Sequence, residues 1–574
     1  MKVAAAAGNL LFILSCIFFF QNYGAAAPGA DMAFAAAIPF IAYIVLVLNS
    51  LLDSGMKKSV FVKNLLNNSA YLFVFAALFA APFVLKISLP DPHNFPLRKL
   101  EILLGGTFAV FAFLMIIRVL RRRAEQADNT LKKDAIYLFF AFLIFYSAVS
   151  VWFNRANEPA GDEPIYLLAA HSIIHDRDLD LKNNFDNKDY KGFYSRELKP
   201  QGSDIEKEGK LYTYHPLLIA AIIAPFYFIG GITAVVLFMN VLASLFAALI
   251  FIYLNNMSGD KKSAFYSASV TGLTLPVLSY MNSVSTEIAG GLVLLASYML
   301  LKNQKDRILL FSLLMACVVW LHVRIMPAYA GIALIFAFYN RGKISNILKF
   351  SLIQGASLGL YFLFNYMLLG SIMPSYSDPG KSTIDGMHFK ILEGIAVFLI
   401  DRQLGFFIYA PVFIFMFAGA FYLWKEKKAV LGELLLILAP YLILICSWFD
   451  WGGNNAAPRY FVPVIFVFSA FLAAFIKAIR AKSADIMFKI TAACSFVMSL
   501  IIMCVPWFRW DKFPADNWIF FMASKFTGLD IAAVFPSFRI PGENSIFLTA
   551  AWITGIAAVN LYVIFVNKQK PGIN

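Results

Sequence analysis

The sequence predicts an all-α protein, a polytopic transmembrane bundle of about sixteen helices. Three observations lead there. Hydrophobic residues make up 60% of the 574-residue chain and charged residues only 14%, against roughly 25% charged in soluble proteins. Apolar runs of about 20 residues, the length that crosses a hydrocarbon core about 30 Å thick, recur from one end to the other. Lysines and arginines gather in short loops between those runs, the charge bias of cytoplasmic loops. One large soluble helical protein would not need so many uninterrupted runs. The net charge of +14 does not point to nucleic acid, because the basic residues flank apolar segments instead of covering a polar domain. Five cysteines, Cys16, Cys317, Cys446, Cys494 and Cys504, lie in or beside apolar segments, without CxxC or Cys/His spacing for zinc or a disulfide framework.

The expected crossings run approximately over 4–22, 33–52, 69–87, 100–118, 135–153, 232–254, 264–281, 287–301, 308–321, 325–339, 347–368, 404–424, 430–448, 459–480, 486–506 and 546–566. Loops with Lys57, Lys58 and Lys63, with Arg121, Arg122, Arg123, Lys132 and Lys133, with Lys261 and Lys262, with Lys425, Lys427 and Lys428, and with Lys568 and Lys570 mark the cytoplasmic side. Both termini then face the cytoplasm, and the long loops 154–212, 369–403 and 507–545 face outward. The segment around 10–27 also suits a cleaved signal peptide, although an uncleaved helix is the preferred reading. The stretch 308–339 is interrupted by Leu321-His322-Val323-Arg324-Ile325-Met326-Pro327. Proline disfavours a continuous helix there, so two short helices with an outer turn are expected. The stretch 217–230 is short and ends at Gly230-Gly231; counted as a crossing it would put Lys261 and Lys262 outside. It is therefore read as an interfacial helix. The chain divides into an extra four-helix membrane module, 1–134, and a main membrane domain, 135–574, whose outer loop and interfacial helices span 154–231.

The outer loop holds the densest chemistry. In Gly161-Asp162-Glu163-Pro164-Ile165-Tyr166, Pro164 suits the first turn of a helix and Asp162 its N-cap. Asp162 is thus either a cap or a general base held at the membrane surface. An acidic run follows: Asp176, Asp178, Asp180, Asp186 and Asp189. An EF-hand starting at Asp176 would need Gly and Glu where Leu181 and Asn187 stand, so the run reads as a solvated loop, with loose divalent-cation binding as the alternative. Further ionisable residues fall at the outer edge: Glu287 opening a helix, His322 and Arg324 in the turn, Asp401 with Arg402, and Arg459. Such groups at membrane depth are either internal ion pairs or a functional site. Arginine suits a phosphate-bearing lipid, because its planar fork matches phosphate oxygens.

Taken together these elements resemble the GT-C superfamily of membrane glycosyltransferases, in the branch that uses polyprenyl-phosphate sugars, such as protein O-mannosyltransferases and lipid A aminoarabinose transferases. The matching pieces are Gly161-Asp162-Glu163-Pro164 with Tyr166, His215-Pro216, Ser285-Thr286-Glu287, Trp320-Leu321-His322-Val323-Arg324, Asp401-Arg402-Gln403-Leu404-Gly405 and Pro458-Arg459-Tyr460. They span roughly 135–566, and the four crossings within 1–120 depart from the family pattern. The resemblance implies a GT-C-like catalytic domain that moves a sugar, with inversion, from a polyprenyl-phosphate carrier to a hydroxyl of a glycan, lipid or protein. It implies Asp162 as the base, with Glu163 in reserve. Arg459 and Arg324 would then hold the donor phosphate, with His322, Glu287, His215, Tyr166, Arg402 and Asp401 as further binding residues. A monophosphate leaving group implies no obligatory metal. The expected setting is a multi-pass protein of the plasma or inner membrane with an extracytoplasmic site and no nucleic-acid partner. A transporter or flippase of an anionic or lipid-linked substrate is the alternative, and predicts an inverted repeat and midplane charges; a non-catalytic scaffold leaves the outer charges unexplained.

Cysteine introduced at Lys262 is expected to react with a membrane-impermeant maleimide only from the cytoplasmic side. Labelling from outside would turn the 217–230 helix into a crossing and invert every later loop.

Overall fold

The computed structural model describes residues 131–201, 205–302, 307–372, 387, 389–448, 451, 458–504, 509, 511–512, 516–538 and 546–569. The four expected crossings at 4–22, 33–52, 69–87 and 100–118 lie outside them. Among the described residues, 147–155 group into one unit and 131–146 with 156–569 into the other. Of the first unit, the described residues are 147–155, within the helix Leu131–Ala156.

The second unit is helical, apart from two short antiparallel ribbons, Ile205–Lys207 with Lys210–Tyr212 and Asp511–Lys512 with Asp516–Asn517. Among the described residues seven helices are long and apolar enough to cross a membrane: Leu131–Ser150, Leu217–Ser258, Ile344–Leu369, Lys428–Ser447, Arg459–Ala478, Lys482–Met503 and Ile546–Lys568. Their sequences explain the length, since each has an uninterrupted apolar stretch without three charges close together. The remaining expected crossings within the described residues are shorter or broken, for local reasons. The 264–281 run becomes the helix Lys261–Leu273, because Pro276 cannot continue the ladder. The 287–301 run is the helix Thr286–Lys302, of 17 residues. The 404–424 run, expected as one helix, is three pieces: Phe406–Tyr409, a 3-10 turn Pro411–Phe415, and Met416–Glu426. Pro411 lacks the N–H that would carry the first helix onward. Conversely, the apolar helix Ile391–Ile400 lies in a stretch expected to be an outer loop.

Two breaks follow the sequence closely. The helix Leu217–Ser258 changes direction at Gly230 and Gly231, the latter at φ 58, ψ −149, a conformation that costs any other residue heavily. Residues 217–229 therefore form a separate helical arm, packed on the helix Glu163–His175. The 308–339 stretch is interrupted at His322, which is extended at φ −171, ψ 128 between Val318–Leu321 and the 3-10 turn Val323–Ile325. The helix Met326–Tyr339 then starts with Pro327 in its first turn.

Close approach of backbones holds the bundle. The helix Ile465–Ala478 sits at its centre, with Ile465, Phe466, Val467, Ala470, Leu472, Ala473 and Phe475 fully buried. Gly419 on Met416–Glu426 lies directly on the backbone of Phe471, and Gly331 on Met326–Tyr339 lies on Leu436 and Ile437. Small residues permit this contact where lipid supplies no hydrophobic drive between helices. Hydroxyls add buried bonds across the same core: Ser267 donates to the Ser469 carbonyl at 2.7 Å, and Thr271 meets the Ser469 hydroxyl at 2.7 Å. By contrast, Ile344–Leu369 and Ile546–Lys568 leave apolar side chains such as Leu352 and Phe547 uncovered, as hydrocarbon-facing helices do.

Gly419→Leu drives its side chain into the Phe471 carbonyl and is expected to cost at least about 2 kcal/mol by overpacking. Gly432→Leu, where a Cβ meets nothing within 4 Å, is expected to be neutral. Thermal unfolding of the two purified variants by intrinsic fluorescence compares them directly; equal midpoints would remove Gly419 from the packing account.

Candidate functional site

The site forms where the turn after the helix Leu131–Ala156 meets the start of Glu163–His175. Gly161 takes a left-handed φ of 63 and turns the chain. Asp162 occupies the N-cap position and Pro164 the first turn. Yet the Asp162 side chain makes no cap hydrogen bond. Its carboxylate points instead to Arg459, whose Nη2 donates to Oδ2 at 3.3 Å. The capping role that spacing alone allows is therefore not the one its side chain takes.

Arg459 belongs to the 3-10 turn Arg459–Val464 that leads into the central helix. Its Nε lies 3.1 Å from Glu287 Oε1, and Arg324 Nη2 donates to the same oxygen at 3.0 Å. The Glu287 side chain is 2% exposed, in the first turn of Thr286–Lys302. Two separate turns of the chain are thereby tied to one buried carboxylate. Arg324 also stacks on Tyr460 at 4.2 Å, an arrangement that suits guanidinium. Its Nε–H is buried without a hydrogen-bond acceptor among the described residues.

Glu163 faces a different set. Ser283 Oγ donates to its Oε1 at 2.8 Å, the Val284 N–H to Oε2 at 3.4 Å, and Arg509 Nη2 lies 3.6 Å from Oε1. The two neighbouring carboxyls are thus pushed apart. Burial raises the Asp162 carboxyl, but His215, Arg459 and Arg324 outweigh it and hold the group below its ordinary range. Burial raises Glu163, and Arg509, Ser283 and Val284 do not cancel it, so this carboxyl lies above its ordinary range.

Two imidazoles lie close by. His215 is buried, with Nε2 2.9 Å from Gln201 Oε1 and its ring edge-on to Tyr166 at 5.4 Å. His322 accepts from the Arg324 N–H through Nδ1 at 3.1 Å. Burial first, then the charges of Arg324, Arg459 and His215, push its pKa well down, so it stays neutral.

These side chains surround a small cavity, about 20 Å³, lined among others by Asp162, Glu163, Tyr166, Tyr280, Glu287 and Arg459. That is room for roughly one water. The hydroxyls of Tyr280 and Ser285, also in its wall, are buried without a hydrogen-bond partner among the described residues. Of the residues expected from the sequence, Asp162, Glu163, Tyr166, Glu287 and Arg459 line this cavity, and Arg324 joins it through Glu287. His215 and His322 stand within electrostatic reach of Asp162 and of Arg459 respectively. Asp401 and Arg402 are not among the lining residues. Asp401 accepts from the N–H groups of Gln403, Leu404 and Phe538, at 2.8, 3.1 and 2.9 Å. The Arg402 N–H donates to the Pro536 carbonyl at 2.8 Å. A binding role expected for this pair thus meets a loop-building one, for the physical reason that Asp401 follows a helix end and satisfies its neighbours' N–H groups. Sequence reasoning missed Arg509, Ser283 and Tyr280. The signal for Arg509 was present: an arginine between two tryptophans, Trp507 and Trp510, in an outward loop. Among the described residues no group of three or more His, Cys, Asp or Glu is placed to hold a metal ion.

Glu287→Gln strips two buried guanidinium groups of their shared counter-charge. It is expected to cost about 3 kcal/mol, more than Asp162→Asn, whose carboxylate is 33% exposed. Unfolding of both purified variants measures this; an Asp162→Asn loss equal to that of Glu287→Gln would deny Glu287 its central position.

No family model, no curated protein and no solved structure matches this chain, so its function has to be read from the chemistry of the cavity.

Proposed function

We propose that this protein is an inverting GT-C-type glycosyltransferase of about sixteen crossings, in the plasma or inner membrane. It moves a sugar from a polyprenyl-phosphate carrier to a hydroxyl of a glycan, lipid or protein at the extracytoplasmic face. One observation carries the reading: the carboxylate of Asp162 and the guanidinium of Arg459 meet at 3.3 Å in the wall of a cavity that also presents the hydroxyls of Tyr280 and Ser285, which have no hydrogen-bond partner among the described residues. A base, an anion-stabilising group and hydroxyl partners for a polyol are thereby available together.

The chemistry follows from that set. The acceptor oxygen attacks the anomeric carbon from the face opposite the phosphate. A new C–O bond forms there, and the bond between the anomeric carbon and the phosphate oxygen breaks. The electron pair leaves on the phosphate, and the acceptor's proton passes to the Asp162 carboxylate. With Arg459 paired to it, Asp162 is a weak base: burial raises its carboxyl, but His215 and the arginines outweigh burial and hold it below its ordinary range. A donor phosphate competes for Arg459, and as it draws the guanidinium away the carboxylate becomes more basic. The same guanidinium then meets the charge that develops on the leaving group. Glu163 is committed to Ser283, Val284 and Arg509 and orients the turn. A cavity of about 20 Å³ does not admit a sugar ring, so donor binding requires these side chains to part.

Asp162→Asn is expected to lower sugar transfer from a polyprenyl-phosphate donor by at least about 100-fold, the contribution of general base catalysis. Expression should be normal, because no cap bond is lost. Transfer is measured on the full chain with radiolabelled donor lipid, beside Glu163→Gln. A dead Glu163→Gln with a near-normal Asp162→Asn reassigns the base. Near-native transfer by both variants removes the chemical centre of the proposal.

A further inference from the structure

The helix Thr286–Lys302 carries Glu287 at one end and Lys302 at the other, roughly 22 Å apart at 1.5 Å per residue. A second cavity opens at the Lys302 end, with a volume of about 160 Å³. Its wall includes Tyr253, Asn256, Met257, Lys302 and Lys427. The lysine pattern assigns this end to the cytoplasm.

The two lysines are in different states. Lys302 is neutralised: its Nζ lies 3.0 and 3.1 Å from the two oxygens of Glu433, which also accepts from the hydroxyls of Tyr298 and Tyr339. Lys427 is not. Its ammonium donates to the Met257 carbonyl, and among the described residues no carboxylate pairs with it. An ammonium has three donors, so two remain for a ligand. Lys427 is half-buried at the junction of Met416–Glu426 and Lys428–Ser447, in the wall of this cavity. Beside it in the chain, Lys425 and Lys428 stack on Trp424 at 4.8 and 5.5 Å, the pairing of cation and aromatic ring found where a protein meets lipid head groups. Asn256 stands exposed in the wall with no hydrogen-bond partner among the described residues. The volume equals several waters at about 30 Å³ each, enough for a phosphate ester.

We propose that this cavity is a second anion site, which binds a phosphate ester through Lys427 and Asn256 at the end of the bundle opposite the glycosyl-transfer cavity. The source is either the head group of a phospholipid, whose chains lie in the adjoining hydrocarbon, or soluble phosphate. The site is independent of the proposed catalytic function, since it shares no lining residue with the Asp162 cavity.

The purified full chain is titrated with dioleoyl phosphatidylglycerol and, separately, dioleoyl phosphatidylcholine in native mass spectrometry, and its melting is followed with inorganic phosphate against chloride. One phosphatidylglycerol per chain is expected to be retained over phosphatidylcholine. Lys427→Gln should weaken it about tenfold, the scale of one charge-assisted hydrogen bond, and Lys343→Gln, an exposed lysine outside the cavity wall, should leave it unchanged. Asn256→Phe, which intrudes on the cavity and alters no charge, should weaken binding as well and decides the matter should Lys427→Gln fail to fold. Equal protection by millimolar inorganic phosphate, lost in the same two variants, supports the site with soluble phosphate as its source. Native-like binding in the Lys427 and Asn256 variants, or no preference for any phosphate over its control, overturns it.

Discussion

The arrangement around the outer cavity depends on one carboxylate. Glu287 is almost wholly buried, accepts from Arg324 at 3.0 Å and pairs with the Arg459 guanidinium at 3.1 Å. An isolated buried charge would be intolerable, and a buried pair repays its desolvation only with good geometry. Glu287 meets this in two ways. It sits in the first turn of Thr286–Lys302, where the helix dipole favours a negative group. It also joins residues from two otherwise unconnected turns, Arg324 after the His322 break and Arg459 before the central helix. Arg459 then reaches Asp162. The position of the proposed base is thus fixed through a chain of charges anchored on a different helix.

That chain of charges needs a rigid frame. Gly419 and Gly331 let helices meet backbone to backbone, and Ser267, Thr271 and Ser469 bond across the core. Such contacts have few intermediate positions. Three of the breaks, by contrast, fall where the site is built: Gly161, the extended His322 and the 3-10 turn Arg459–Val464. Each of these three carries or adjoins a charged side chain of the cluster, Asp162, Arg324 or Arg459. Regular helix supplies the span, and interrupted helix supplies the chemistry.

Much of this was legible in the sequence, and the boundary of legibility is physical. Hydropathy runs and Lys/Arg loops marked the long helices, and Gly230-Gly231 and Pro327 marked two breaks, because backbone conformation at glycine and proline is a local property. Asp162, Glu163, Glu287, Arg324 and Arg459 stood out because ionisable residues beside apolar runs are costly and need a reason. What stayed hidden was pairing. Nothing local says that Arg509, more than three hundred residues beyond Glu163, turns toward it, or that the Tyr280 hydroxyl faces a cavity. Asp401 and Arg402 carried the same outward signal as Arg459, yet Asp401 bonds to N–H groups of its own turn and of Phe538. Charge at an outer edge identifies candidates; only the fold distinguishes a loop-building carboxylate from one that faces a cavity. The helix Ile391–Ile400 escaped for a simpler reason: ten residues, one of them Glu393, are too few for a crossing.

Charge counting links the resting cluster to the proposed reaction. Asp162, Glu163 and Glu287 face Arg324, Arg459 and Arg509, three carboxylates against three guanidinium groups. The raised Glu163 is the one most ready to be neutral, which leaves the cluster balanced or slightly positive. In the proposed reaction a polyprenyl phosphate would bring negative charge to this balance, and more would develop on its oxygen as the sugar leaves. Transfer of the acceptor's proton to Asp162 removes one negative charge from the protein at the same moment. In the proposed reaction Arg459, shared between Asp162 and Glu287 in the empty cluster, is released from Asp162 just as the phosphate gains charge. A base with its own dedicated cation would lack this coupling. Pairing the base with the arginine that later serves the leaving group keeps the net charge of the cavity nearly constant along the reaction, which a low-dielectric site strongly favours.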